Sequence, residues 1–197
     1  TREAFYDRTR FGQIFASATR APESLKAEIA AIDGVSAVET RIVNPVIIDI
    51  TGMAEPATGM LISIPDDGEP AVNRLYLRSG RMPEPGRPDE ATIIEAFGIT
   101  LSPEYVYAIG PGDMVPDQKR FGVIHMHRSV LEGAYDMKGA FNDVALTLSR
   151  SADQKDVIAQ LDTILKPHGG TGAYGRKDHM SDAFLDSELE QLRAMAQ

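Results

Sequence analysis

Cysteine and tryptophan are absent from the 197 residues. No disulfide framework, thiolate nucleophile, Cys-ligated zinc or iron-sulfur cluster can therefore be built from this chain. The lack of cysteine leaves the compartment open and suits an oxidising space, where a stray thiol is a liability. Long apolar runs are missing too, and none approaches the roughly 18 residues of a membrane span. Thr1 opens without a start methionine or a signal-peptide pattern. Positive charge is in short supply, with 20 Lys and Arg against 29 Asp and Glu and a net charge of -9. Four arginines (Arg2, Arg8, Arg10, Arg20) gather near the start, so the remainder is more acidic still. Such a body repels phosphate backbones and shows no cationic face with stacking aromatics, which excludes nucleic-acid binding.

What is present is enough apolar content, 43%, to bury a core in one large domain or two small ones. Two amphipathic segments stand out. In residues 21–33, Leu25, Ile29 and Ile32 share one helical face, Pro22 suits the first helical position, and Gly34 suits a left-handed C-cap. In residues 152–167, Val157, Leu161, Ile164 and Leu165 form the buried stripe and Pro167 stops the helix. Strand-like runs flank both: residues 35–50 follow the first helix, and residues 142–148 and 171–175 bracket the second. Two β-α-β units predict an α+β fold with a split ferredoxin-like sheet.

Between the units the composition changes. Residues 52–122 hold nine Gly and nine Pro, against eleven in the rest of the chain. Short strand-like runs at 58–64, 74–77 and 91–94 are separated by Pro/Gly/Asp turns. This predicts a smaller β-rich lobe at 65–141, inserted between lobe halves 1–64 and 142–197. The direct passage from EATIIEAF to GITLSPEY suggests a missing segment between Phe97 and Gly98. At the far end Phe184, Leu185, Leu189, Leu192 and Met195 recur at helical spacing to the last residue. This, with Phe5, Tyr6 and Phe11 among the first arginines, predicts open-ended terminal helices of a longer protein.

Chemical motifs are few. His125 and His127, alternate residues of a strand, project to one face and could clamp a transition metal. Only His168 and His179 remain as further histidines, so the pair is read as closing a strand and capping a helix near Ser129, with no metal site. Ser102, Ser129 and Ser181 lack any nucleophile-elbow or S-x-x-K spacing. The GGTG run at 169–172 has no following Lys and opens no helix, so it is read as a turn. Asp66, Asp67, Asp89 and Glu90 sit among turn formers. No catalytic residue and no cofactor are assigned, and the chain is read as not an enzyme. The run SPEYVYAIGPGDM places Tyr105, Tyr107 and Ile109 in a long connection, as candidates for ligand or partner contact or for packing the small lobe.

Several stretches resemble the periplasmic domain of FtsX/MacB-like ABC transporter permeases: FGQIFASATRAPESLKAEIAAIDGVSAVETR (11–41), LYLRSGRMPEPGRPDEATIIEAF (75–97), SPEYVYAIGPGDM, and the exit AYGRKDHMSDAFLDSELEQLRAMA. The Gly-Arg-x-Pro...Asp-Glu pattern at Gly80 to Glu90 is the most recognisable piece. Members usually carry a Gly-rich strand pair after the EAF stretch, and here only Gly98-Ile99 remains.

The resemblance implies a porter lobe interrupted by a smaller β-rich sabre lobe, in the periplasmic part of a bacterial inner-membrane protein. It implies arms before Phe11 and after Ser181 that continue into transmembrane helices, and a cytoplasmic ATP-binding subunit as partner. Motion driven by ATP would pass through the domain to cargo or to a periplasmic protein or lipoprotein, with the isolated domain monomeric. Two other classes stay open: a free-standing periplasmic ligand-binding or interaction module, and a metal enzyme built on His125 and His127. The latter requires ionisable groups converging in one pocket.

Overall fold

The computed structural model describes residues 2–49, 51–52, 55–77, 81–84, 86–87, 89–94, 100–105, 121–179 and 182. The elements run α1 (Arg2–Thr9), β1 (Ile14–Pro22), α2 (Leu25–Ala30), β2 (Val35–Arg41), β3 (Val43–Ile48) and β4 (Ala57–Ile64). Then come β5 (Tyr76–Leu77), β6 (Thr92–Ile94), β7 (Thr100–Leu101), β8 (Phe121–His127) and α3 (Arg128–Ala134). The chain returns through β9 (Ala140–Leu148), α4 (Gln154–Leu165) and β10 (Tyr174–Gly175). Single 3-10 turns lie at Pro103–Tyr105, Lys166–His168 and Arg176–Asp178.

The first sheet has the order β10-β1-β9-β2 with every neighbour antiparallel. That order, with α2 and α4 as the two crossovers, is the split ferredoxin-like arrangement expected from the sequence. One face is packed by the helices: Ile14, Ala16, Phe141, Val144 and Leu146 meet Ile29, Val157, Leu161 and Leu165 in one apolar core. Helix α4 is set by its ends. The Asp153 carboxylate accepts the Lys155 N–H at 2.9 Å and the Asp156 N–H at 3.4 Å, satisfying donors the helix leaves free. Gly34, at φ 90°, turns the chain into β2 where an added Cβ would stand 2.6 Å from the Ala152 Cβ.

Four boundaries differ from the sequence reading. Pro22 does not begin a helix: it ends β1, opposite Ala140, just past a register shift between Ser17 and Ala21. A proline is tolerated there because the irregular ladder does not need its missing N–H. Helix α2 consequently starts at Leu25, with Ile29 and Ile32 buried as expected. The run at 171–175 shortens to Tyr174–Gly175 because the glycine loop is tied elsewhere, the Thr171 N–H donating to the Ser17 carbonyl at 3.0 Å.

The fourth difference is the crossing between lobes. The expected strand 35–50 breaks at Ile42, and β3 and β4 pair in a second sheet of order β3-β4-β8-β6. The chain thus leaves the first sheet at Ile42, earlier than the boundary at residue 64 assumed. Side chains make the break possible: the Ile42 N–H donates to Ser63 Oγ at 2.8 Å, and the Val43 N–H to Asn142 Oδ1 at 2.7 Å. Backbone groups freed by the change of sheet are thereby satisfied. In the second sheet β4 and β8 run parallel, which requires the long crossover that carries β5, β6 and β7. Ile62, Phe121 and Val123 form its core on one side. Ile42, Leu131, Met137 and Ala140 form another core where α3 meets the first lobe.

The Phe97–Gly98 junction and residues 183–197 lie outside the described residues, as do Tyr107 and Ile109.

Candidate functional site

The face of the first sheet opposite its helices carries two groups of side chains. At one end α1 lies over the strands, with Tyr6, Phe11, Phe15, Val72 and Ala145 buried together. The His179 ring joins them, 4.6 Å from the Phe15 ring and 5.6 Å from that of Phe11. Tyr6 Oη donates to Asp182 Oδ1 at 2.7 Å, tying the segment before the lobe to the segment after it.

At the other end the register of β2 and β9 puts Arg41 opposite Asp143. Arg41 Nε donates to Asp143 Oδ1 at 2.7 Å, and Nη2 reaches the same oxygen at 2.5 Å. Its outer edge forms a fork with Glu104: Nη2 donates to Oε1 at 2.8 Å and Nη1 to Oε2. Glu104 belongs to the inserted lobe, on the 3-10 turn after β7. His179 Nε2 lies 4.0 Å from Glu104 Oε1. His125, on β8, stands within electrostatic reach of the same carboxylate. Arg41, Glu104 and His125 are each less than 7% exposed.

The electrostatics follow from burial and pairing. Burial opposes the Arg41 charge, but the Asp143 and Glu104 carboxylates outweigh it and hold the guanidinium pKa well above its ordinary value. Glu104 is also penalised by burial, yet Arg41 pulls it below the usual carboxylate range. Asp143 goes the other way: burial and the neighbouring Glu104 charge raise it despite Arg41. Burial lowers His125 to about 4, with Glu104 only partly compensating, and lowers His179 as well. Both imidazoles are therefore neutral around pH 7. The Tyr174 phenol is pushed up to about 12 by burial and the two carboxylates.

A second arginine bridges the lobes. Arg128, the first residue of α3, donates from Nη2 to Glu23 Oε2 at 2.6 Å and to the Ala140 carbonyl at 2.8 Å. Its Nη1 donates to the Thr40 carbonyl at 2.9 Å, and its Nε to Glu132 Oε1 at 3.0 Å. Planar, always-charged guanidinium groups suit such multiply bonded junctions.

The residues singled out in the sequence fall in different places. His125 and His127 share a face of β8 and are both buried, as the alternation requires. They do not share partners: His127 Nδ1 lies 3.1 Å from the Pro65 carbonyl and Nε2 3.0 Å from that of Pro83. His127 occupies the N-cap position of α3, but its side chain makes no cap hydrogen bond. Among the described residues no three His, Asp or Glu side chains are grouped to hold a metal ion. Tyr105 packs half-buried against the core of Ile62, Phe121 and Val123, where burial raises its phenol pKa.

The Gly-Arg-x-Pro...Asp-Glu pattern is a loop clasp. Arg81 Nη1 and Nη2 donate to Glu90 Oε2 and Oε1, each at 2.7 Å, and the Glu84 N–H donates to Oε2 at 2.9 Å. The clasp is solvent-exposed and lowers Glu90 to about 2 through the Arg81 hydrogen bonds.

Sequence reasoning found no convergence of ionisable groups, and the structure has one, at residues it did not single out: Arg41, Glu104 and Asp143. The available signal was an Arg and an Asp inside apolar strand runs, ETRIV and FNDVAL, where a charge demands a buried partner. As arranged, the cluster holds charge in place, and the Ser17 side chain adds a hydrogen bond to Asp143.

The chain is thus an α+β protein, a ferredoxin-like lobe with a smaller β-rich lobe inserted between its halves. No family model and no curated protein matches it. Among solved structures it is similar to the periplasmic region of MacB from Actinobacillus actinomycetemcomitans, at 9% identity and a TM-score of 0.47, over 92% of this chain and 94% of that one. A likeness at this level carries no function across, and the fold assignment rests on the strand order itself. Among the described residues no helix is long and apolar enough to cross a membrane.

Proposed function

We propose that this chain is an extracytoplasmic domain of an ABC transporter permease, passing motion from membrane-anchored arms to the inserted lobe. Under this reading the segments before Phe11 and after Ser181 connect to membrane helices worked by a cytoplasmic ATP-binding subunit. The observation that carries it is the path His179–Glu104–Arg41. The segment tied to α1 by the Tyr6–Asp182 hydrogen bond also places His179 4.0 Å from Glu104. Glu104 is in turn fork-bonded to Arg41 of β2. A displacement of either arm therefore reaches the junction of the two lobes within a few side chains, where the buried Glu104–Arg41 ion pair is costly to separate. The resemblance of residues 11–41 and 75–97 to the FtsX/MacB-like family points the same way. Tyr105, Tyr107 and Ile109 are the proposed contact for cargo or a periplasmic partner; the packing of Tyr105 limits its share of that contact to its exposed part.

These 197 residues hold no cysteine, so one introduced thiol reports on this domain when the unsubstituted protein is the control. Lys155→Cys, on the exposed side of α4, is introduced into the whole protein in its own cells. Intact, outer-membrane-permeabilised cells are then treated with a membrane-impermeant maleimide. Labelling before lysis is expected, together with co-purification of an ATP-binding subunit. Labelling only after lysis contradicts the extracytoplasmic placement, and labelling of a protein released in soluble form favours a free-standing binding module.

A further inference from the structure

A cavity of about 440 Å³ opens on the inserted lobe, away from the Arg41 junction. Its volume falls within the range of small-molecule sites, about 300–1,000 Å³. Its walls are apolar, made by Ile64, Pro65, Pro70, Leu75, Leu77 and Met82. Core side chains ordinarily close such a space, so what holds it open matters. His127 sits at its base with Nδ1 3.1 Å from the Pro65 carbonyl and Nε2 3.0 Å from the Pro83 carbonyl; the nitrogen that carries the proton donates to its carbonyl, and the ring lies between the two walls. The Pro65 side is pinned again by Asp66, which accepts the Ser129 N–H at 3.1 Å and the Ser129 hydroxyl at 2.6 Å. The Pro83 side is pinned by the Arg81–Glu90 clasp. The cavity is preformed, which spares a ligand the ordering that binding otherwise requires.

The charged groups at the mouth decide what kind of ligand fits. Asp66 is committed to Ser129. Glu69 Oε2 lies 3.5 Å from Arg74 Nη1. Arg74 also donates from Nε to the Pro70 carbonyl at 3.3 Å. Its Nη2 has no partner among the described residues, and its side chain is 35% exposed. Among the described residues the mouth therefore offers one cationic group with an N–H edge still open, Arg74 Nη2, beside an apolar interior. We infer that this cavity binds a small amphiphile with an apolar body and a single anionic group, carboxylate or sulfonate, placed against Arg74. The inference is independent of the permease reading, since it rests on the cavity alone.

Two related probes separate the parts of the claim: anilinonaphthalene sulfonate, which is anionic, and N-phenyl-1-naphthylamine, its neutral counterpart. Fluorescence titration of the 197-residue chain is expected to give saturable binding of both, mutually competitive, with the anionic probe tighter. Arg74→Gln should weaken the anionic probe about 10-fold, about 1.4 kcal/mol, and leave the neutral one unchanged. Met82→Glu, which sets a carboxylate into the apolar wall, should abolish both while circular dichroism shows an unchanged fold. If that variant fails to fold, amide hydrogen exchange of the wild-type chain decides: slowed exchange at residues 75–77 and 127 on adding probe supports the site. Non-saturable binding, or probe-induced protection elsewhere, overturns it. Equal affinity of the two probes with no effect of Arg74→Gln overturns the anionic class.

Discussion

The two four-stranded sheets of this protein are stabilised in different ways. In the first sheet, Ile14, Ile29, Phe141, Val144, Leu146, Val157 and Leu161 are fully buried between strands and helices. In the second, β6 has three residues, and β5 and β7 pair in a separate two-stranded sheet with two residues each. Its edge strand β3 exposes Ile47 at 75%. It also buries two polar atoms, His125 Nδ1 and Thr92 Oγ1, that find no hydrogen-bond partner among the described residues, and these residues are cross-strand neighbours in the β6–β8 ladder. The ferredoxin-like lobe is a packed frame. The inserted lobe depends more on specific ties: Arg41–Glu104, Arg128–Glu23, Arg81–Glu90 and the His127 spacer. A lobe held by a few bonded points rather than a continuous core is suited to respond as a unit when one of those points is displaced.

The contrast can be broken most strongly at its shared junction. Arg41→Met leaves Glu104 and Asp143 buried without their cation and is expected to cost about 3–5 kcal/mol in denaturant unfolding. Restoring neutrality with Glu104→Gln and Asp143→Asn on top of it should return much of that loss. A triple variant as unstable as the single one would show that shape, not charge, is what Arg41 supplies.

Next in size is the contrast between cores. Leu161→Ala, in the first lobe, is expected to cost about 2–5 kcal/mol. Ile47→Ser, at the exposed edge of the second, should stay within about 0.5 kcal/mol. Comparable losses at the two sites would erase the distinction.

Acid sharpens the comparison further. His125 has its folded pKa lowered from 6.5 to about 4, so the unfolded chain binds the extra proton first as pH falls. Its contribution is complete above about pH 6.5 and is lost progressively toward pH 4, roughly 2 kcal/mol by pH 5. His179, also lowered by burial, acts in the same direction. Glu104, lowered from 4.5, adds its own loss only at still lower pH. Unfolding curves at pH 7.5 and 5 should therefore converge in His125→Asn more than in the wild type. Tyr6→Phe, which removes the hydrogen bond to Asp182, should cost about 1 kcal/mol in thermal unfolding.

The frame was legible in the sequence because periodicity reports burial. Ile29 and Ile32, and Val157, Leu161 and Leu165, are buried where their spacing puts them. Boundaries were less so, because Pro22 satisfies both a helix start and an irregular strand end, and only the register with Ala140 distinguishes them. The change of sheet at Ile42 was hidden inside an unbroken β-like run, since the Ser63 and Asn142 side chains that permit it come from distant segments. The junction was not legible as a site. Arg41, Glu104 and Asp143 are separated by about 40 to 60 residues at each step, and nothing local says that they meet. The two histidines were conspicuous by spacing, but the shared face of a strand did not give them shared partners.

Native-state amide hydrogen exchange on the wild type and on Glu104→Gln tests the coupling of the lobes most directly. Glu104→Gln keeps the shape of the side chain and removes the charge that binds Arg41. If the junction couples the lobes, β8 and β6 lose protection in the variant while the centre of the first sheet, β1 and β9, keeps it. Unchanged protection of β8 and β6, or an equal loss in all four strands, would contradict the account.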